Sequence, residues 1–280
     1  MIRVLILFFF LILIGFINCN NKLPDDNKIP HGPTVKTRIK APKDYNWRIE
    51  EPESFGEFLQ NLKLEPVGTK ILDYKKNPIS NQFAHVAVIK KDIGEKDLQQ
   101  CADAVIRLRA DYLWERNKQE KIAFHFTSGN LYKWNDYKNG IRPVLSSSNK
   151  VHFEKRASFD DSYEGFKKYL EIIFNYAGTI SLNQETTKVI QNQSIKTGDI
   201  LVTPGSPGHA VIIVGSAENA KGDKVYLLAQ GYTPAQSIHI ITNPYNEQFN
   251  PWYKLDLKKN PTITARYTFN ETNIRAFKDK

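Results

Sequence analysis

The sequence predicts an α+β domain, with helices early in the chain and an antiparallel sheet after them. Two observations predict it. Two separate stretches before residue 180 space their apolar residues at intervals of three and four, the mark of helices with one buried face. From residue 198 onward, short apolar runs alternate with clusters of Gly, Pro, Asn and Asp, as in strands joined by tight turns. Neither an internal repeat nor a second long linker breaks up the region after residue 44, so residues 45–280 read as one domain.

The chain opens with Met1-Ile2-Arg3, an apolar run Val4–Ile17, and then Asn18-Cys19-Asn20-Asn21. A basic start followed by an apolar run too short for a comfortable span is the order of a secretory signal. The stretch Phe16-Ile17-Asn18-Cys19 resembles a bacterial lipobox, with Asn18 where a small residue is usual. That resemblance implies removal of residues 1–18, lipidation of Cys19, and a place in the bacterial cell envelope as a periplasmic or outer-membrane lipoprotein. The membrane is then a partner through the lipid, since each buried methylene contributes about 0.8 kcal/mol. Residues 19–44 are polar and dotted with proline, so they are expected to form a flexible tether with a reach of at most roughly 80 Å.

The first patterned region, "HVAVIKKDIGEKDLQQCADAVIRLRADYLWERNK", predicts a strand at Val86–Ile89 and a helix whose start is signalled by Asp97. Leu98, Cys101, Val105, Leu108 and Tyr112 share one face of it, which puts Cys101 about one turn in. The second, "FDDSYEGFKKYLEIIFNYAG", lines a helix with Phe166, Leu170, Ile173 and Phe174 and ends it at Gly178. Asp160 and Asp161 precede that helix, where capping accounts for at least one of them. The third, "TGDILVTPGSPGHAVIIV", predicts a hairpin of residues 200–203 and 209–214 around "PGSPG", with further strands at 225–230 and 238–241.

The formal net charge is +9 at pH 7 without a run of five or six basic residues. Outside the cytoplasm this suits phospholipid headgroups, peptidoglycan or another envelope polymer, and nucleic acid is not expected as a partner. "YKWNDYKNGIRP" brings together Trp134, Tyr137 and Arg142, a mixture suited to binding a sugar ring or peptide group; the alternative is a loop pinned to the core by its aromatics. The histidines and cysteines show no metal-ligand spacing, and no phosphate loop follows a strand, so neither metal nor cofactor is expected. Oligomeric state leaves no mark.

Cys101 near a helix start is favoured as a thiolate, while its place on the apolar stripe suits packing. His209 enters a strand behind a loop stiffened by Pro204 and Pro207, where it could serve as general base to a thiol on a facing helix. The alternative is an imidazole merely ending a turn. A cysteine at a helix start, then a "GD" strand and a strand opening with histidine, resembles the papain-like cell-wall hydrolases of the NlpC and CHAP types. That resemblance implies Cys101 as nucleophile, His209 as base and Gln230 as orienting group, with His239 as substitute. "QQCADA" departs from the usual Asp-Cys-Ser-Gly, and more than a hundred residues separate Cys101 from His209. Over nearly the whole mature chain the sequence is similar to bacterial lipoproteins of the domain of unknown function 4846. The stretches that carry this are "NLKLEPVGTKI", "DLQQCADAVIRLRADYLW", "FDDSYEGFKKYL", "FNYAGTISL", "GDILVTPGSPGHAVIIV" and "YLLAQGYTPAQSIHI". It implies an envelope location and brings no reaction with it. Two functions remain: a lipid-anchored cysteine hydrolase or acyltransferase acting on an envelope amide or ester, and a non-catalytic binding or assembly lipoprotein with a hydrolase-like core.

Overall fold

The computed structural model describes residues 32–148, 150–190, 194–271 and 273–278. Cys19 and the apolar leader lie outside them. In chain order the elements are α1 (Val35–Arg38), β1 (Tyr45–Trp47), α2 (Phe55–Gln60), β2 (His85–Val88), α3 (Cys101–Glu115), β3 (Ala123–His125), β4 (Leu131–Lys133), α4 (Trp134–Lys138), β5 (Ile141–Leu145), β6 (Val151–Lys155), α5 (Tyr163–Tyr176), α6 (Thr179–Glu185), β7 (Thr186–Lys188), β8 (Ile200–Thr203), β9 (His209–Asn219), β10 (Lys224–Gln230), β11 (His239–Ile241), β12 (Thr262–Ile263), β13 (Thr268–Phe269) and β14 (Ile274–Phe277). The fold is α+β.

An antiparallel sheet in the order β2-β11-β10-β9-β8-β14-β7 forms its centre, and β1 pairs with the far end of β9. Alternation along β9 sorts its side chains: Ala210, Ile212 and Val214 enter the core shared with α3 and α5, whereas Val211 and Ile213 enter a second cluster with Tyr253, Phe269 and Ile274. Both faces are covered, which is why β9 and β10 read as nearly continuous apolar runs. Trp47 explains Gly215, where a Cβ would lie 2.4 Å from the indole.

α3 is buried on almost every side, with Val105, Ile106 and Leu108 at zero exposure. Two of its charged residues, Arg107 and Asp111, anchor a buried ion-pair network. Arg107 donates to both oxygens of Asp111 at 3.0 Å and to Asp92 at 3.0 Å, and Lys91 meets Asp111 at 2.8 Å. The cap of α5 is Ser162 rather than either aspartate: Ser162 accepts from the Gly165 amide at 3.0 Å, and Asp160 supports it by accepting from the Ser162 hydroxyl at 2.6 Å.

Packed chain begins before the boundary expected at residue 45. Val35 is fully buried, Arg38 donates to the carbonyls of Gly32 and Glu65, and the Trp252 indole donates to Lys40 O at 2.9 Å. A helix of one turn offers too little periodicity to be seen in the sequence. Among the described residues no helix is long and apolar enough to cross a membrane.

Candidate active site

The loop ahead of His209 is tied down by its own backbone and by α6. Gly205 adopts φ +114° and exchanges two hydrogen bonds with Thr179, accepting at 3.2 Å from the hydroxyl and donating to it at 3.1 Å. Gly208 sits where a Cβ would lie 2.4 Å from Gly205 O and 2.6 Å from Thr179 Oγ1, so only glycine lets the loop fold back this far. β9 therefore starts at a fixed point, with His209 paired to Thr203 across the hairpin.

The hydrogen bonds around His209 determine its tautomer. His239 Nδ1 lies 2.8 Å from Ser237 O; a carbonyl only accepts, so Nδ1 carries the proton. Burial lowers the pKa of His239 to about 3, the largest influence on it, so the ring is neutral and Nε2 holds a lone pair. That lone pair accepts from Gln230 Nε2 at 3.3 Å. The amide orientation is thereby set, and Gln230 Oε1 faces His209 Nε2 at 2.8 Å, which must donate. Nδ1 of His209 is left as the basic nitrogen. Burial is the main cause lowering His209 to about 4, and Arg266 adds to it while the Gln230 contact opposes it. Neutral imidazole is thus the resting form. Gln230 and His239 have no solvent exposure and His209 has 3%.

An aromatic cover closes over the ring. Tyr267 and Tyr232 stand 4.7 and 5.1 Å from it, centroid to centroid, with Phe269 at 6.0 Å. Arg266 stacks on Tyr232 at 3.8 Å. The turn that carries Arg266 and Tyr267 joins β12 to β13 and is locked by Thr264, whose amide donates to Tyr267 O at 2.8 Å and whose hydroxyl accepts from the Tyr267 amide at 3.2 Å.

Cys101 is the first residue of α3, closer to the helix end than its sequence spacing suggested. Asp97, the expected start signal, instead accepts from the Ala235 amide at 2.6 Å and from Gln100 Nε2 at 3.0 Å, clamping the β10–β11 connection to the start of α3. Thr233 adds a hydrogen bond to Gln100 Oε1 at 3.0 Å, and at Gly231 a Cβ would meet Gln100 O at 2.6 Å. The helix start is thus pressed against the strand end that carries Gln230. Burial raises the thiol's pKa, opposed first by the Ala210 amide and then by the amides of Ala102 and Cys101 itself. The amide that acts on the sulfur belongs to the residue after His209. Ala210 points to the α3 side, however, while the His209 ring lies with Tyr267 and Phe269, and among the described residues no hydrogen bond joins thiol to imidazole.

Asp103, in the first turn of α3, is 6% exposed and is raised to about 8 by burial. Its Oδ2 accepts from the Gln100 amide at 3.1 Å, and its Oδ1 has no partner.

Trp134 and Tyr137 lie in a different ring cluster. They are 2% and 3% exposed, stack on each other at 5.4 Å and pack on Phe166 and Tyr169. Arg142 lies 3.7 Å over Tyr137 and donates to Tyr137 O at 2.6 Å. This aromatic loop is pinned to the core. Concavity alone points elsewhere again, to cavities of about 490 Å³ beside Lys254 and Lys258 and about 400 Å³ between Lys70 and Lys90. Neither is lined by Cys101 or His209, so the chemistry of the side chains is the better guide. Of the residues around His209, Tyr232 has a sequence signal in its place two residues after Gln230, whereas Arg266 and Tyr267 arrive from a distant hairpin without one.

No curated protein and no solved structure matches the chain. Residues 35–276 match the family described as Domain of unknown function (4846), which takes in the sheet, α3 and every residue of the His209 cluster. The chain belongs to that family.

Proposed function

We propose that the protein is an exported lipoprotein, anchored through Cys19, whose folded domain is a papain-like cysteine hydrolase or acyltransferase acting on an amide or ester of the cell envelope, such as a peptidoglycan peptide. The observation that carries it is the hydrogen-bonded chain Ser237–His239–Gln230–His209, which leaves His209 Nδ1 free as a base at the strand end against which the Cys101 helix is pressed.

In this mechanism the start of α3 shifts against the start of β9 so that Sγ reaches Nδ1, the two side chains lying on opposite sides of β9 at rest. The Cys101 proton passes to Nδ1 as Sγ attacks the carbonyl carbon. The Cys101 and Ala102 amides, which face the sulfur at rest, receive the oxyanion. His209 then returns the proton to the departing amine or alcohol as the C–N or C–O bond breaks. Water, or an acceptor amine or alcohol, releases the acyl group from sulfur by the reverse order of proton transfers.

Acylation of the full chain with p-nitrophenyl acetate tests this, with the modified residue located by peptide mass spectrometry. Acylation at Cys101 is expected, absent in Cys101→Ala and slowed about 100-fold in His209→Ala. Acylation elsewhere, or a rate indifferent to His209, refutes it. Metabolic labelling with an alkyne fatty acid tests the anchor, since Cys19→Ala should abolish the label.

The second function, a binding or assembly lipoprotein on a hydrolase-like core, is favoured by the burial of His209 beneath Tyr232 and Tyr267. Under it Cys101 resists acylation until the protein is denatured.

A further inference from the structure

Arg266 is the unexplained group beside this site. Its side chain forms neither a hydrogen bond nor an ion pair among the described residues, although a guanidinium carries five donors. Nη1 is fully out of water without a partner, whereas the residue as a whole is only half-buried and so can be reached from outside. An orphaned donor of this kind costs about 1–3 kcal/mol, more for a charged group, and marks a place where something else completes the contact.

Its position is fixed from two sides. The guanidinium lies 3.8 Å over Tyr232, and Tyr232 lies 5.1 Å from the His209 ring, so a single aromatic ring separates the charge from the imidazole. The Tyr232 hydroxyl also donates to Arg266 O at 3.3 Å, and Thr264 locks the turn. Arg266 is the one cationic side chain whose field registers on both His209 and His239. A phosphate dianion would call for more positive charge, while one planar fork matches one carboxylate.

Resting on the hydrolase function proposed above, we infer that Arg266 is the receptor for a substrate carboxylate, and that the compound which acylates Cys101 is a monoanion carrying that group on the Tyr232 side of His209. Binding would draw the unpaired edge of the guanidinium onto the anion and hold the substrate at the start of β9, where the Ala210 amide acts on the Cys101 sulfur and the neighbouring His209 ring lies against Tyr232. Neutral analogues would bind less well because the cation stays unpaired.

Two alkylating reagents of nearly equal size test this without knowledge of the substrate: iodoacetate, which carries the carboxylate, and iodoacetamide, which does not. Their rates at Cys101 are measured on the full chain at low ionic strength by peptide mass spectrometry, with the urea-denatured chain as reference. The ratio of iodoacetate to iodoacetamide rates should be about tenfold higher in the native protein. It should fall with added salt, return to the denatured value in Arg266→Gln, and be partly kept in Arg266→Lys. An unchanged iodoacetamide rate shows that the variants keep the site intact. A native ratio equal to the denatured one, or one indifferent to Arg266→Gln, overturns the receptor while leaving the Cys101–His209 pair standing. Failure of both reagents and of p-nitrophenyl acetate at native Cys101 removes the hydrolase function, and the receptor with it.

Discussion

Replacing Gln230 with methionine keeps the length and approximate volume of the side chain while removing both partners from the buried histidines. Gln230 has no solvent exposure, so water cannot take over its two hydrogen bonds, to His209 at 2.8 Å and to His239 at 3.3 Å. Two orphans result: the Nε2–H of His209 and the Nε2 lone pair of His239. At about 1–3 kcal/mol each, Gln230→Met should cost about 2–6 kcal/mol, a large share of the roughly 5–15 kcal/mol that holds a domain together. Urea unfolding followed by tryptophan fluorescence measures the loss. The double variant with His239→Leu removes one of the orphans and should lose less than the two single variants added together, by about 1–3 kcal/mol. Nitrogen-15 correlation spectra of the imidazoles supply a second readout: His209 should be protonated at Nε2 in the wild type and a mixture of tautomers in Gln230→Met. A cost below about 1 kcal/mol together with an unchanged tautomer would refute the idea that Gln230 sets the imidazole.

Three further outcomes follow from the geometry. Gly231→Ala drives a methyl to 2.6 Å from Gln100 O and 3.0 Å from the Ala104 methyl, so it should cost about 1–3 kcal/mol and slow acylation of Cys101 by displacing the start of α3, as urea melts and the p-nitrophenyl acetate assay would show. Asp103, raised from 3.8 to about 8, keeps a proton in the folded chain that the unfolded chain has lost, so its stabilisation is present below about pH 4 and is lost as pH rises through 8. Below pH 6.5 the depressed His209 and His239 oppose this, since the unfolded chain gains their protons first. Between pH 6.5 and 8 the wild type should therefore lose stability relative to Asp103→Asn by up to about 1.4 kcal/mol per pH unit, the histidine contribution cancelling in the difference, as measured by urea melts of both proteins across that range. Finally, burial holds Cys101 as thiol and His209 as neutral imidazole, so alkylation of Cys101 by iodoacetamide should climb steadily with pH; a plateau extending from pH 5 to 8 would show a preformed thiolate–imidazolium pair instead.

Much of the sheet could be read from the sequence because its strands are neighbours in the chain. The runs beginning at Ile200, His209 and Lys224 are apolar on both faces and punctuated by turn residues, and the Gln230 match to an orienting group depended only on counting along the next strand. Other features depend on partners that arrive from far away. Asp97 has the composition of a helix start, yet the Ala235 amide takes its carboxylate, and the helix waits until Cys101. Trp134 and Tyr137 look like a binding surface until α5 supplies Phe166 and Tyr169 to bury them. Val35 lies in a single turn too short to show a period, and the cover over His209 comes from a hairpin with strands of two residues each.

The antiparallel neighbours β8, β9, β10 and β11 have an implication for how the molecule comes to exist. The imidazole cluster is built from consecutive strands, so it has low contact order and can close early, whereas the thiol must be delivered from a helix synthesised long before its docking surface. During synthesis Cys101 emerges from the ribosome before the C-terminal strands against which its helix docks. Among residues 32–278 it has no second cysteine with which to be trapped in that interval. A cysteine introduced on an exposed loop of this region should convert the interval into a measurable fraction of misfolded, disulfide-linked chains.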